Sequence, residues 1–179
     1  MAGGADFSAV SRRWLLKYSL GAAGFALMGG AGGLLAIRGG APAVAGLRWL
    51  TAQEHRTLAA LAGALYPPSP AFPVGANDVH LVSRIDAFVA DLAPWDQRDL
   101  RRAIVLLEYG PVLFERRATT FRHLAEEERA AHFARWSVSD SQLRREVAVA
   151  FRRLLALMFF DRPEVWPHVG YDGPYLTRE

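Results

Sequence analysis

The chain contains no cysteine among its 179 residues. A disulfide framework, a thiolate metal site, a Cys-x-x-Cys-His haem attachment and a lipoprotein cysteine are therefore excluded. Lysine is almost absent as well: Lys17 is the only one, a feature we attribute to genome composition rather than to mechanism. No segment alternates polar and apolar residues for long enough to predict a sheet, so we predict an all-α fold.

Motifs that carry chemistry are also lacking. The chain has no phosphate loop, no dinucleotide-binding glycine motif following a strand and no nucleophile elbow. No two of its histidines have the i, i+4 spacing of a helical metal site, so we interpret all five as solvated surface residues. These histidines are His55, His80, His123, His132 and His168.

The carboxylates give no catalytic pair. Asp86 and Asp91 fall on a predicted helix whose apolar face is needed for the core, and Glu126–Glu128 is typical of a solvated first turn. Glu108 lies between core positions and is expected to point outward; if it were buried, it would be a candidate acid. We therefore expect no catalytic, cofactor-binding or metal-binding residue in this chain.

The basic excess is confined to the amino terminus. The formal net charge is +3, and residues 1–45, with four basic side chains and one acidic side chain, account for all of it. Residues 46–179 carry 17 basic and 17 acidic side chains. A nucleic-acid-binding function thereby loses its main support.

A short stretch near the amino terminus has the pattern of an export signal. It is followed by an uncharged, glycine-containing run of 20 residues, Tyr18–Ile37, which is about the length a helix needs to cross a bilayer. The stretch resembles the twin-arginine pattern Ser-Arg-Arg-x-Phe/Leu-Leu-Lys. The residues at its defined positions are Ser11, Arg12, Arg13, Leu15, Leu16 and Lys17. The resemblance implies export through the twin-arginine translocase, a route that carries proteins already folded, often with a bound cofactor or partner.

The end of this region contains a candidate processing site. Ala43 and Ala45 have the small-x-small spacing that a signal peptidase reads. Cleavage after Ala45 and retention as a membrane anchor are both compatible with the sequence. We therefore divide the chain into a signal or anchor, residues 1–45, and a domain, residues 46–179, on the periplasmic side of the cytoplasmic membrane. A domain of 134 residues is large enough for one core.

Residues 51–161 predict about five helices. A capping box at Thr51 and Glu54 opens the first, Asn77-Asp78 is expected to cap the second, and Pro94 suits the first turn of the third. Gly110-Pro111 is expected to end or kink the third helix. The fourth begins at Glu126–Glu128. The fifth and longest, capped by Ser139 or Asp140, is expected to run from Ser141 to about Asp161, with its second half, Leu154–Phe160, fully buried.

The chain ends in an irregular segment rich in proline, glycine and aromatic residues, Arg162–Glu179. An apolar segment that cannot form a regular helix must pack on its own bundle or on a partner. We therefore predict partner-interface candidates here; they are Trp166, His168, Tyr171 and Tyr175.

Two parts of the domain resemble the gluconate 2-dehydrogenase subunit 3 family. The opening similarity comprises Leu50-Thr51, Glu54, Tyr66-Pro67, Pro73, Gly75 and Asp78. The more specific closing similarity reads Met158-Phe159-Phe160-Asp161-Arg162-Pro163-Glu164-Val165-Trp166-Pro167-His168-Val169-Gly170-Tyr171-Asp172-Gly173-Pro174-Tyr175. Together they extend over roughly residues 50–175.

The resemblance implies an accessory role without catalytic residues. Members of that family are small helical subunits of membrane-associated dehydrogenases that oxidise sugars or alcohols. Their partner is a FAD-dependent large subunit of the GMC type, for which the small subunit supplies the export signal and helps folding. A c-type cytochrome, with its haem, often passes the electrons to the respiratory chain. FAD is thus expected in the partner and no cofactor in this chain.

Two other functions compete with this one. The chain could be a free-standing exported enzyme of unknown reaction, which would require a closed pocket with a pair of perturbed titratable groups. It could also be a membrane-tethered scaffold with an uncleaved amino-terminal helix.

Overall fold

The computed structural model describes residues 44–173 and contains five α-helices with no strand in that range. The export motif, the apolar run, Ala43 and Tyr175 lie outside the described residues. The helices are α1 Ala52–Leu65, α2 Leu81–Ala90, α3 Pro94–Glu115, α4 Glu126–Ser137 and α5 Gln142–Phe160. Two short 3-10 helices, η1 Phe121–His123 and η2 Trp166–Val169, follow α3 and α5. The all-α prediction is confirmed for this part of the chain.

The first helix begins as its sequence predicts. The hydroxyl of Thr51 accepts a hydrogen bond from the Glu54 N–H at 3.2 Å, and the Glu54 carboxylate accepts one from the Thr51 N–H at 2.8 Å. This reciprocal pair satisfies two of the backbone donors that a helix start leaves unpaired. The capping box is therefore confirmed.

The start of α2 differs from the prediction. Asn77 and Asp78 do not cap it; the helix begins at Leu81 after His80, which has a left-handed backbone with φ of 48°. The Asp78 carboxylate instead accepts the Gly75 N–H at 2.7 Å. The aspartate therefore stabilises the loop before the helix, and the chain needs a further turn before α2 can start.

Pro94 occupies the first turn of α3, as expected, but Gly110-Pro111 does not end that helix. It continues to Glu115, which makes α3 the longest helix at 22 residues. Gly110 is buried against α4, where a Cβ atom would lie 2.5 Å from the Trp136 ring. Close packing of α3 on α4 at this glycine favours the continued helix despite the missing proline N–H.

The fifth helix is shorter and less buried than predicted. It runs over Gln142–Phe160, and its preceding residue, Ser141, makes no side-chain capping bond; neither Ser139 nor Asp140 occupies the capping position. Leu154, Leu155 and Phe159 are buried, whereas Leu157 and Phe160 are exposed. The apolar second half of α5 thus has one face in the core and one face turned to the surface.

One core joins the five helices. The α1 helix contacts α2, α3 and α4, and α5 contacts α2 and α4. The largest fully buried side chains of this core are Phe121, Phe133, Trp136, Phe151 and Phe159. Within residues 44–173, no helix combines the length and the apolar character that crossing a membrane would require.

Candidate partner-binding face

The segment after α5 is anchored to the bundle by one apolar side chain. Val165 is fully buried in the core, and its N–H donates to the carbonyl of Arg162 at 2.9 Å. Although its prolines exclude a long helix, four residues after this anchor form η2. The segment therefore has a defined position on the end of α5 at least as far as Gly173.

Trp166 is integrated into this turn. Its indole N–H donates to the carbonyl of Phe160 at 3.0 Å, and the Tyr171 ring packs edge-on against it with centroids 5.3 Å apart. Gly173 closes over the same indole: its backbone has φ of 105°, and a Cβ there would lie 3.3 Å from Trp166 Cζ3. Trp166 is half-buried and thus supports the turn as well as contributing to its surface.

His168 connects the segment to the loop between α1 and α2. Its ring centroid lies 5.4 Å from that of Phe72, which in turn lies 6.1 Å from that of Phe159. Tyr66 stacks on Phe159 at 4.3 Å. The aromatic residues at the end of α1 and in the following loop therefore form the base on which the carboxy-terminal segment lies.

Several large apolar side chains at the end of α5 and in the segment after it are exposed. The accessible fractions are 39% for Leu157, 46% for Phe160, 47% for Val169 and 42% for Tyr171. The half-buried Trp166 lies in the same segment. We call these five residues the carboxy-terminal apolar face. Within it, the Trp166 indole is bonded to the Phe160 carbonyl and the Tyr171 ring packs on Trp166, so these three residues are neighbours. Exposed apolar groups of this kind are characteristic of sites that bind another protein or a membrane.

Ion pairs border this face. Arg84 on α2 lies 2.8 Å from the Asp161 carboxylate, and Arg162 lies 2.7 Å from that of Glu164. An apolar centre with a polar rim is the usual composition of a protein–protein interface. The structure thus brings together three of the predicted interface candidates, Trp166, His168 and Tyr171, at one end of the bundle; the fourth, Tyr175, lies outside the described residues.

Glu108 is buried, so the prediction that it points outward is wrong. The Thr57 hydroxyl donates to its Oε2 at 2.9 Å, and the Arg122 guanidinium lies 3.4 Å from its Oε1. These contacts join α3 to α1 and η1. Oε2 is hydrogen-bonded within the fold and Oε1 faces the Arg122 guanidinium without a hydrogen bond, so the buried carboxylate links three elements of the bundle.

His132 is also buried, so its interpretation as a surface histidine is wrong. Its Nδ1 lies 2.8 Å from Oε1 of Glu115, which also accepts from Arg135 at 2.8 Å. Burial lowers the pKa of His132, although the Glu115 charge opposes this. Burial alone would raise the pKa of Glu115, but the Arg135 hydrogen bond and the neighbouring charges lower it.

A histidine–carboxylate pair can act in general acid–base catalysis only where a substrate reaches it. The His132 side chain is 0% accessible, and its Nε2 points at Gly110 with the Trp136 ring beside it. The pair therefore serves packing between α3 and α4. Sequence spacing gave no signal for it, because Glu115 and His132 are 17 residues apart on different helices.

A cleft of about 340 Å³ opens between the end of α1, the loop that follows it and the start of α4. Its charged lining residues are Asp78, Glu126 and Arg129. Asp78 is engaged by the Gly75 N–H, and Arg129 donates to the Arg122 carbonyl at 2.9 Å. Across residues 44–173, no three histidine or acidic side chains are grouped so that they could hold a metal ion.

Comparison with known proteins gives no further assignment. No family model, no curated protein and no solved structure matches this chain. The carboxy-terminal apolar face therefore stands as the candidate functional site on its own geometry.

Proposed function

We propose that this chain is a non-catalytic small subunit that binds a flavin-dependent dehydrogenase, assists its folding and carries it through the twin-arginine translocase. The observation that carries the proposal is the complete Ser-Arg-Arg-x-Leu-Leu-Lys motif at residues 11–17, followed by the uncharged run Tyr18–Ile37. A signal for folded cargo on a small helical domain is expected for a subunit that escorts another protein.

The carboxy-terminal apolar face supports the binding half of the proposal. It combines an exposed phenylalanine and tyrosine with a half-buried tryptophan, and aromatic side chains are enriched among the residues that dominate protein–protein binding energy. Four of its five residues, all except Leu157, lie within residues 158–175, which resemble the ending of the gluconate 2-dehydrogenase subunit 3 family. Recognition of the large subunit therefore falls on the stretch that carries the resemblance.

The nature of the partner follows from the resemblance. We propose a FAD-dependent large subunit of the GMC type that oxidises a sugar or alcohol on the periplasmic side of the cytoplasmic membrane. A c-type cytochrome would then carry its electrons to the respiratory chain. In this arrangement the flavin and the haem belong to the other subunits.

Replacing both Arg12 and Arg13 with lysine tests the export half. Lysine keeps the charge but lacks the planar guanidinium with its several donors. We expect the Lys-Lys variant and the flavoprotein to remain together in the cytoplasm, whereas both reach the periplasmic side with the wild-type signal. The measurement is cell fractionation with immunodetection of both subunits.

A matched control replaces Arg38, the arginine that follows the apolar run, with lysine. This change lies outside the motif and should leave export intact. Arrival of the Lys-Lys variant in the periplasm at the wild-type level would refute the twin-arginine assignment. A flavoprotein that is exported without this chain would refute the escort.

A further inference from the structure

One buried carboxylate fixes the residues that precede α1. Asp86 on α2 is buried and accepts three backbone N–H groups, from Arg48 at 2.6 Å, Trp49 at 2.9 Å and Leu50 at 2.6 Å. We call this group of contacts the amino-terminal clamp. An aspartate with three backbone donors forms charge-assisted hydrogen bonds, which are among the stronger ones in proteins.

Side chains around the clamp hold the same segment. Leu47 and Trp49 pack against the core, and the Arg101 guanidinium lies over the Trp49 ring at 4.2 Å while donating to the Trp49 carbonyl at 3.3 Å. The Arg48 side chain reaches Asp91 at 3.0 Å. Every residue from Leu47 to Leu50 is therefore attached to α2, to α3 or to the core.

The candidate cleavage site lies directly before this attached segment. The bond after Ala45 is separated from the packed Leu47 only by Gly46, which forms a turn with φ of 82°. A protease needs backbone that can be extended and lifted into its active site, which is why cleavage concentrates in exposed, flexible segments. From Leu47 onward, the residues on the carboxyl side of the Ala45 bond meet that requirement only when the clamp opens.

From this geometry we infer that the amino-terminal clamp protects the bond after Ala45 from signal peptidase, so that the chain keeps its apolar segment as a membrane anchor. The inference rests on the proposed function, because a domain exported in the folded state presents a closed clamp to the peptidase. A domain exported unfolded would present none. Cleavage of a folded chain follows the population of its open form, which the clamp keeps small.

Retention would also fix where the domain works. Ten residue steps separate Arg38 from Arg48, and an extended chain spans at most about 3.6 Å per residue, or roughly 35 Å in total. The first residues of the folded domain would therefore stay within that distance of the membrane surface.

The test uses purified full-length chain reconstituted in phospholipid vesicles and incubated with purified signal peptidase. A flexible Gly-Ser linker of about six residues, inserted between Gly46 and Leu47, moves the bond away from the clamp without altering any clamp contact. We expect the wild-type chain to stay intact and the insertion variant to be cut after Ala45 at least about tenfold faster, as measured by intact-mass spectrometry.

Substitutions separate the clamp from its surroundings. Asp86→Ala removes all three acceptor bonds and should accelerate cleavage, whereas Asp91→Asn, which affects only the Arg48 side chain, should cleave as slowly as the wild-type chain. The insertion variant keeps the test decisive if Asp86→Ala folds poorly. A wild-type chain cut as fast as the insertion variant, or an insertion variant that stays intact, would overturn the inference. This incubation requires neither export nor a flavoprotein, so failure of the proposed function would leave its result unchanged.

Discussion

Tyr171 offers the cleanest separation between partner binding and folding. Its side chain is 42% accessible, and its ring packs edge-on against Trp166. The Tyr171 N–H bonds to the Trp166 carbonyl at 3.0 Å, a contact that truncation of the side chain leaves in place. Tyr171→Ala should therefore remove little from the fold itself.

The effects of Tyr171→Ala on the stability of the subunit and on its affinity for the partner can be estimated separately. An edge-on aromatic pair contributes about 0.5–1.5 kcal/mol, so Tyr171→Ala should lower the free energy of unfolding of the small subunit by about 1 kcal/mol. An aromatic anchor at the centre of an interface costs about 2 kcal/mol or more when truncated, which corresponds to a loss of affinity of roughly 30-fold. Binding should thus suffer more than folding.

Two assays decide the outcome: urea denaturation of the isolated subunit, and the amount of flavoprotein that co-purifies with it. Trp95→Ala is a matched control, because Trp95 is a 60% accessible aromatic at the start of α3, outside the carboxy-terminal apolar face. Trp95→Ala should change neither the stability of the subunit nor the amount of co-purified flavoprotein appreciably. Trp166→Ala is a poorer probe, since the half-buried indole also donates to the Phe160 carbonyl and its loss would weaken the fold. Undiminished co-purification of the flavoprotein with Tyr171→Ala would refute this use of the face.

Two further predictions concern the bundle. Gly110→Ala should lower the free energy of unfolding by about 1–2 kcal/mol in urea denaturation, because its Cβ would lie 2.5 Å from the Trp136 ring and overpacking outweighs the gain in helix propensity. Gly63→Ala is the control: no atom lies within 4 Å of its new Cβ, so this variant should be more stable than the wild-type chain. A Gly110→Ala variant that is also stabilised would contradict the close packing of Gly110 on Trp136. Burial lowers the pKa of His132, so the unfolded chain binds a proton as the pH falls through about 6.5 while the folded chain resists it, and stability should fall from pH 7 to pH 5. The pKa of His55 is lowered in the same direction by burial, so His132→Gln should remove only part of this slope, and an unchanged slope would contradict the role of His132.

Local signals in the sequence predicted local structure well. The capping box at Thr51 and Glu54 and the start of α3 at Pro94 depend only on residues within one helical turn, and both are found. The Asp78 prediction failed because another local donor, the Gly75 N–H, takes the carboxylate. Competition between neighbouring backbone groups for one side chain is decided by the geometry of the loop, which composition alone does not specify.

Tertiary contacts account for the remaining errors. Glu108 is buried because Thr57, 51 residues earlier, donates to it, and Asp86 is buried because residues 36–38 positions earlier bring three N–H groups to it. Charged residues are rarely buried unless paired, so sequence reasoning placed Glu108 on the surface and gave Asp86 no linking role. The packing of Trp166 and Tyr171 in the turn after α5 could be predicted more readily, because large aromatics on a segment broken by proline and glycine must find a packing surface.

The most direct test of the escort is purification of the tagged full-length chain from membranes of the native organism, followed by an absorbance spectrum and mass analysis of each subunit. The account predicts a complex in which a larger chain co-purifies in stoichiometric amount, with a flavin spectrum that stays with that larger chain after the subunits are separated. A chain that purifies alone, or a flavin bound to this small subunit itself, would contradict it.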